Sequence, residues 1–107
     1  MNHSQWDEIN IQLIEGEDAA YSIVVVDDDK TNRTLLSIIL KKAGYRVMEA
    51  EDGQDALKKT LETPVDLVLL DIMMPNMDGY EACRRMKEDT GTRDIPVIFL
   101  SAKTETR

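Results

Sequence analysis

Ser22-Ile-Val-Val-Val-Asp-Asp-Asp29 is the stretch from which the fold of this chain can be read. Four β-branched apolar residues, Ile23 to Val26, run without interruption and stop at three aspartates. A strand with one wet face would alternate apolar and polar residues. An unbroken apolar run belongs to a strand covered on both faces, which is the habit of parallel sheets. Carboxylates at the end of such a strand stand where open parallel sheets collect their chemistry, outside the carboxyl ends of the strands.

Parallel strands need crossover helices, and the sequence supplies them. Leu35, Leu36, Ile39, Leu40 and Ala43 recur at helical spacing, with Gly44 placed to end that helix. Arg46 to Ala50 reads as a second strand, and Asp52-Gly53 opens a second helix with Ala56, Leu57, Thr60 and Leu61 on one face, closed by Pro64. Asp66 to Asp71 is a third strand. Asp78 with Glu81 three residues later is a capping-box-like start for a third helix that carries Ala82, Cys83 and Met86 inward. Pro96 to Leu100 forms a fourth strand, its proline tolerated at the first position. Strands alternating with helices in this way predict an α/β fold with a doubly wound parallel sheet.

Composition narrows the function classes. At 107 residues the chain holds one domain, expected over residues 21–107, behind an acidic tail or linker at 1–20. In that tail Trp6, Ile9 and Leu13 have helical spacing while Ile9, Ile11 and Leu13 alternate like a strand, and a solvated segment is the reading adopted. The tail carries five acidic residues and no Lys or Arg, so it is not a secretory signal, and it holds most of the net charge of -8. That charge argues against direct nucleic-acid binding, which needs a basic face. No apolar run approaches the ~20 residues of a membrane helix. Cys83 is the only cysteine, so no intrachain disulfide can form and a reducing cytoplasm is the expected compartment.

The strand ends are acidic: Asp27-Asp28-Asp29 after the first, Asp71 at the third, with Ser101 after the fourth. If the first, third and fourth strands are neighbours, carboxylates and a hydroxyl share one small site. Packed negative charges repel one another, and a hard divalent cation removes the conflict; Mg²⁺ suits carboxylates, waters and a phosphoryl oxygen. One carboxylate could then attack a phosphoryl group as a nucleophile, with the Ser101 hydroxyl hydrogen-bonding a phosphoryl oxygen. Asp29 reads as exposed or as a helix cap, and the methionines at 73, 74 and 77 as loop residues.

Four segments carry a family resemblance. They are Ile23-Val-Val-Val-Asp-Asp-Asp29, Val47-Met-Glu-Ala-Glu-Asp-Gly-Gln-Asp-Ala-Leu57, Asp66-Leu-Val-Leu-Leu-Asp-Ile-Met-Met-Pro-Asn-Met-Asp-Gly79 and Ile95-Pro-Val-Ile-Phe-Leu-Ser-Ala102. From about Ser22 to the end, the chain resembles a receiver domain of two-component signalling. The resemblance implies flavodoxin-like topology with strand order 2-1-3-4-5. It implies Asp71 as phosphoacceptor, Asp28 as direct Mg²⁺ ligand and Asp27 as its partner through metal-bound water. The Met73 backbone carbonyl would be a further ligand, and Ser101 the hydroxyl that moves toward the phosphoryl group and starts the switch. The implied partners are a sensor histidine kinase or phosphotransfer protein and an output of unknown kind. Only six residues follow Ser101, so the family's fifth strand, its phosphoryl-pairing lysine and its last helix are missing, and Lys103 is no substitute for that lysine.

Three functions compete at this point: a regulatory phosphoacceptor that is not a general enzyme, an Mg²⁺-dependent aspartate-based phosphohydrolase, and an interaction module that keeps the fold without the chemistry. Hydrolases of the second kind place another catalytic aspartate two residues after the nucleophile, where this chain has Met73. A sheet lacking its fifth strand leaves the fourth as an apolar edge, so self-association of this chain is also expected.

Overall fold

Ser22–Val26 forms the first strand, β1, and every one of its residues is buried in the computed structural model, which describes residues 21–100. The remaining elements follow in the expected alternation: α1 (Lys30–Lys42), β2 (Arg46–Ala50), α2 (Gly53–Glu62), β3 (Leu67–Asp71), α3 (Gly79–Glu88) and β4 (Val97–Leu100). The strands make one parallel sheet in the order β2-β1-β3-β4. This is the doubly wound arrangement that the uninterrupted apolar strands call for. Its two central strands, β1 and β3, carry the apolar runs. Among the described residues no helix is long and apolar enough to cross a membrane.

Each helix begins on an aspartate whose carboxylate accepts a hydrogen bond from a backbone N–H three residues on. The pairs are Asp29 with Asn32, Asp52 with Asp55, and Asp78 with Glu81. Such a cap satisfies a donor that the helix itself cannot, and is worth roughly 0.5–2 kcal/mol. At α3 the second half of a capping box gives way to ion pairing. Hydrogen bonds from Arg84 and then Arg85 hold the exposed Glu81 carboxyl at a pKa of about 2. The end of α1 is set by Gly44, whose φ of 102° lies in the left-handed region that glycine enters without cost.

The two faces of the sheet are covered unequally. Val24, Val26, Val68 and Leu70 point to one side, into a cluster with Ala56, Ala82 and Met86 from α2 and α3. Ile23, Val25 and Leu69 point to the other, where Leu36 and Leu40 of α1 meet them. Leu35 and Ile39, expected on the inward side, are instead 57% and 54% exposed. Among the described residues a single helix covers this face and buries only a narrow stripe, so residues one step round from Leu36 and Leu40 stay in the open. Leu61 is likewise exposed, at an open groove between α2 and α3.

The same imbalance reaches β4, the edge strand among the described residues. Val97 and Phe99 pack into the covered side, whereas Ile98 on the opposite side is 51% exposed. An edge that offers apolar side chains together with unpaired backbone groups recruits another strand. If β4 keeps this open edge, the 107-residue chain is expected to self-associate. Light scattering coupled to size exclusion should show a mean mass rising from micromolar to millimolar protein. A mass that stays monomeric across that range, with sharp cooperative melting, would contradict this.

Candidate functional site

β1 and β3 lie side by side with Val26 opposite Leu70, so the residues at and just beyond their carboxyl ends come together. Carboxylate oxygens of Asp27, Asp28 and Asp71 all lie within 4.8 Å of one another. Asp27 and Asp71 are buried, at 6% and 2% exposure, while Asp28 is exposed. Two of the three carboxylates thus sit inside the protein and the third opens to solvent. Leu100, the register partner of Asp71, is followed in sequence by Ser101, which lies outside the described residues, as do the 1–20 segment and Lys103.

Backbone groups hold the two buried carboxylates. Asp27 Oδ1 accepts from the Asp29 N–H at 2.9 Å, and Asp71 Oδ1 accepts from the Met73 N–H at 3.2 Å. The Asp27 N–H in turn donates to the Ala50 carbonyl of β2 at 3.1 Å, tying the site to the neighbouring strand. Asp29 is the N-cap of α1, its carboxylate engaged by Asn32 N–H, which matches the capping role expected of it.

The donor set is made of oxygen atoms, two of them in nearly dry surroundings. That chemistry fits a small, hard, octahedral cation that keeps several waters, and disfavours a soft metal. Met73 exposes its side chain at 62%, whereas Met74 and Met77 are buried at 8% and 5%. All three lie in the loop between β3 and α3, as expected, and Met74 and Met77 are in addition packed into the core. Asn76 adopts φ 68°, and the Met77 N–H donates to the Pro75 carbonyl at 2.8 Å. This tight reversal folds both methionines back onto the sheet, and asparagine is among the few residues that accept that φ cheaply.

Known proteins share this sequence pattern and fold. A family model described as the response regulator receiver domain matches residues 23–107. The chain belongs to the response regulator receiver family. Its receiver domain is 47% identical over 83 residues to the transcriptional regulatory protein ResD of Bacillus subtilis, covering 78% of this chain and 33% of that protein. The chain therefore spans about a third of that relative. The N-terminal domain of a response regulator receiver protein from Methanoculleus marisnigri superposes with a TM-score of 0.76 at 48% identity, over 80% of this chain and 70% of that one. The receiver domain of sensor histidine kinase PA1611 from Pseudomonas aeruginosa superposes at 0.75 with 33% identity, over 79% and 70%. That structure has a magnesium ion coordinated in its active-site cleft. The receiver domain described here is thus a regulatory module of two-component signalling, in the phosphoacceptor class.

Sequence reasoning missed one group beside the site. Arg33, on α1, donates through Nη1 to the Asp27 carbonyl at 2.7 Å and through Nε to Glu49 of β2 at 3.0 Å. An arginine six residues after a strand-ending aspartate, facing an acidic residue of the next strand, is the signal that could have found it.

Proposed function

We propose that Asp71 is the phosphoacceptor of this receiver domain and takes its phosphoryl group from a phosphohistidine of a sensor kinase or phosphotransfer protein. The observation that supports this is the trio of Asp27, Asp28 and Asp71 oxygens within 4.8 Å, at the carboxyl ends of adjacent parallel strands. A carboxylate oxygen of Asp71 attacks phosphorus, the phosphorus–nitrogen bond breaks, and the histidine nitrogen leaves with the electron pair. Asp28, Asp71 and the Met73 backbone carbonyl would hold Mg²⁺ directly, with Asp27 acting through a bound water. The ion supplies positive charge against which a dianionic phosphoryl group can approach three carboxylates.

The Ser101 hydroxyl would donate to a phosphoryl oxygen and begin the change that reaches an output of unknown kind. The module would work in the cytoplasm. The position two residues after Asp71, where an aspartate-based hydrolase needs a second carboxylate, holds Met73, so turnover of general phosphoesters is not expected.

The test is incubation with a small phosphodonor, with and without Mg²⁺, followed by intact mass and peptide mapping. One hydroxylamine-labile phosphoryl group on Asp71, formed only with Mg²⁺, is the expected result. Label elsewhere, or label that ignores the cation, would overturn the assignment.

Lifetime of the phosphorylated form should also be set locally. Hydrolysis needs a positioned water, and neither Met73 nor Lys103 brings a carboxylate or amide to orient one. Met73→Asn is therefore expected to shorten the lifetime roughly three- to tenfold, a fraction of what a full general base contributes. Decay measured after removal of the donor checks this, and an unchanged or longer lifetime would refute it.

A further inference from the structure

The exposed ligand of the proposed metal site, Asp28, hangs from the peptide that joins it to Asp27, and a side chain of α1 grips that peptide. The Arg33 guanidinium donates to the Asp27 carbonyl at 2.7 Å while its Nε pairs with Glu49 at 3.0 Å. Arg33 is 14% exposed, so the bond is largely sheltered from competing water. Asp27 is also tied through its N–H to Ala50 and through its carboxylate to Asp29 N–H. Of these three bonds, the one to Arg33 engages the peptide plane from which Asp28 departs.

Glu49 is itself a fixed anchor. It sits in β2 opposite Val25, and Lys59 of α2 donates to its carbonyl oxygen while pairing with Asp55 at 3.0 Å. A brace thus runs from α2 through β2 and α1 to the end of β1. We propose that Arg33 is a positioning residue for the cation site, acting through the Asp27–Asp28 peptide; this rests on the metal-dependent phosphoacceptor reading above.

Charge and position make opposite forecasts, which makes the proposal sharp. Judged by charge alone, Arg33 repels a dication, and its removal would tighten Mg²⁺ binding. Its charge is already paired with Glu49, however, so its field at the cluster is reduced and its grip on the peptide dominates. Groups that orient metal ligands from behind typically change affinity by about 10–100-fold when removed.

Calorimetric titration of the full chain with Mg²⁺ tests this. Arg33→Ala should weaken Mg²⁺ binding roughly tenfold. Arg33→Lys keeps the charge but reaches only one of the two partners, and should fall between Arg33→Ala and the parent. Labelling of Arg33→Ala should return to the parent rate when Mg²⁺ is raised to saturation. Unchanged or tighter Mg²⁺ binding by Arg33→Ala, in protein whose melting shows it folded, overturns the proposal. So does a labelling defect that saturating Mg²⁺ leaves in place. Should Arg33→Ala not fold, the Mg²⁺ affinity of Arg33→Lys decides: weaker binding than the parent supports the proposal, and equal or tighter binding overturns it. Failure of the underlying reading looks different: the parent itself would then bind no Mg²⁺, or would take label without Asp71.

Discussion

Asp71→Asn is expected to abolish phosphoryl labelling, by at least about three orders of magnitude in rate, while leaving the fold in place. The substitution keeps the shape of the side chain, and an amide oxygen can still accept from the Met73 N–H as the carboxylate does now. What it removes is the nucleophile. A neutral amide oxygen has no comparable reactivity toward phosphorus, and each ~1.36 kcal/mol added to the barrier is a tenfold loss. The second consequence has the opposite sign. Asp71 is 2% exposed and lies beside Asp27 and Asp28, so removing one of three like charges relieves repulsion in the cation-free protein. Melting without Mg²⁺ should therefore occur at the same temperature or higher, while Mg²⁺ binds more weakly. Asp28→Asn separates the two roles. It keeps the nucleophile and loses a proposed ligand, so its labelling should fall at limiting Mg²⁺ and recover as Mg²⁺ is raised. Radiolabel or mass shift that persists in Asp71→Asn would remove the aspartate from its central place in the chemistry.

The acidic trio was legible because two local signals coincide: an apolar strand names its own end, and parallel pairing sets the ends of β1 and β3 together. The caps at Asp29, Asp52 and Asp78 were equally local, a short polar side chain three residues ahead of the N–H it satisfies. What escaped depends on tertiary context. The inward side of α1 was assigned one step too wide, because 3.6-residue spacing shows that a face exists but not how much of it a neighbour covers. The burial of the loop residues Met74 and Met77 escaped because their direction hangs on the φ of Asn76, which no periodicity encodes. Arg33 escaped because a long side chain spanning two strands leaves no repeat in the sequence. Ser101, central to the family resemblance, lies outside the described residues, and its role stays a proposal.

Gly79→Ala is expected to be the most destabilising single methyl that can be added to the glycines among the described residues. Gly79 opens α3, and its N–H donates to the Ile72 carbonyl at 2.9 Å, so the helix start rests directly on the chain leaving β3. A Cβ there would fall far inside contact distance of the Asp71 carbonyl oxygen and would stand 2.9 Å from Ile72 Cα. Both obstacles are backbone and cannot swing aside. Relief requires lifting α3 off the sheet, which would pull Ala82 and Met86, both at 0% exposure, from the core. Overpacking of this kind costs about 1–3 kcal/mol and sometimes more, against roughly 1 kcal/mol or less recovered from alanine's lower backbone entropy. Because both obstacles are backbone, the upper end of that cost applies, about 2 kcal/mol net, and with about 4–8 °C per kcal/mol for a domain of this size the melting midpoint should drop by roughly 8–16 °C. Gly53→Ala is the internal control. Its added Cβ would meet Met77 Sδ at 2.8 Å, the flexible part of a thioether side chain, and Ala82 Cβ at 3.2 Å. A methionine re-rotates at small cost, so the shift there should stay within a few degrees. Because the Gly79 obstacle is the Asp71 peptide itself, the folded fraction of Gly79→Ala should also label slowly even at saturating Mg²⁺. Equal melting of the two variants would mean that the approach of α3 to Asp71 is softer than the geometry implies.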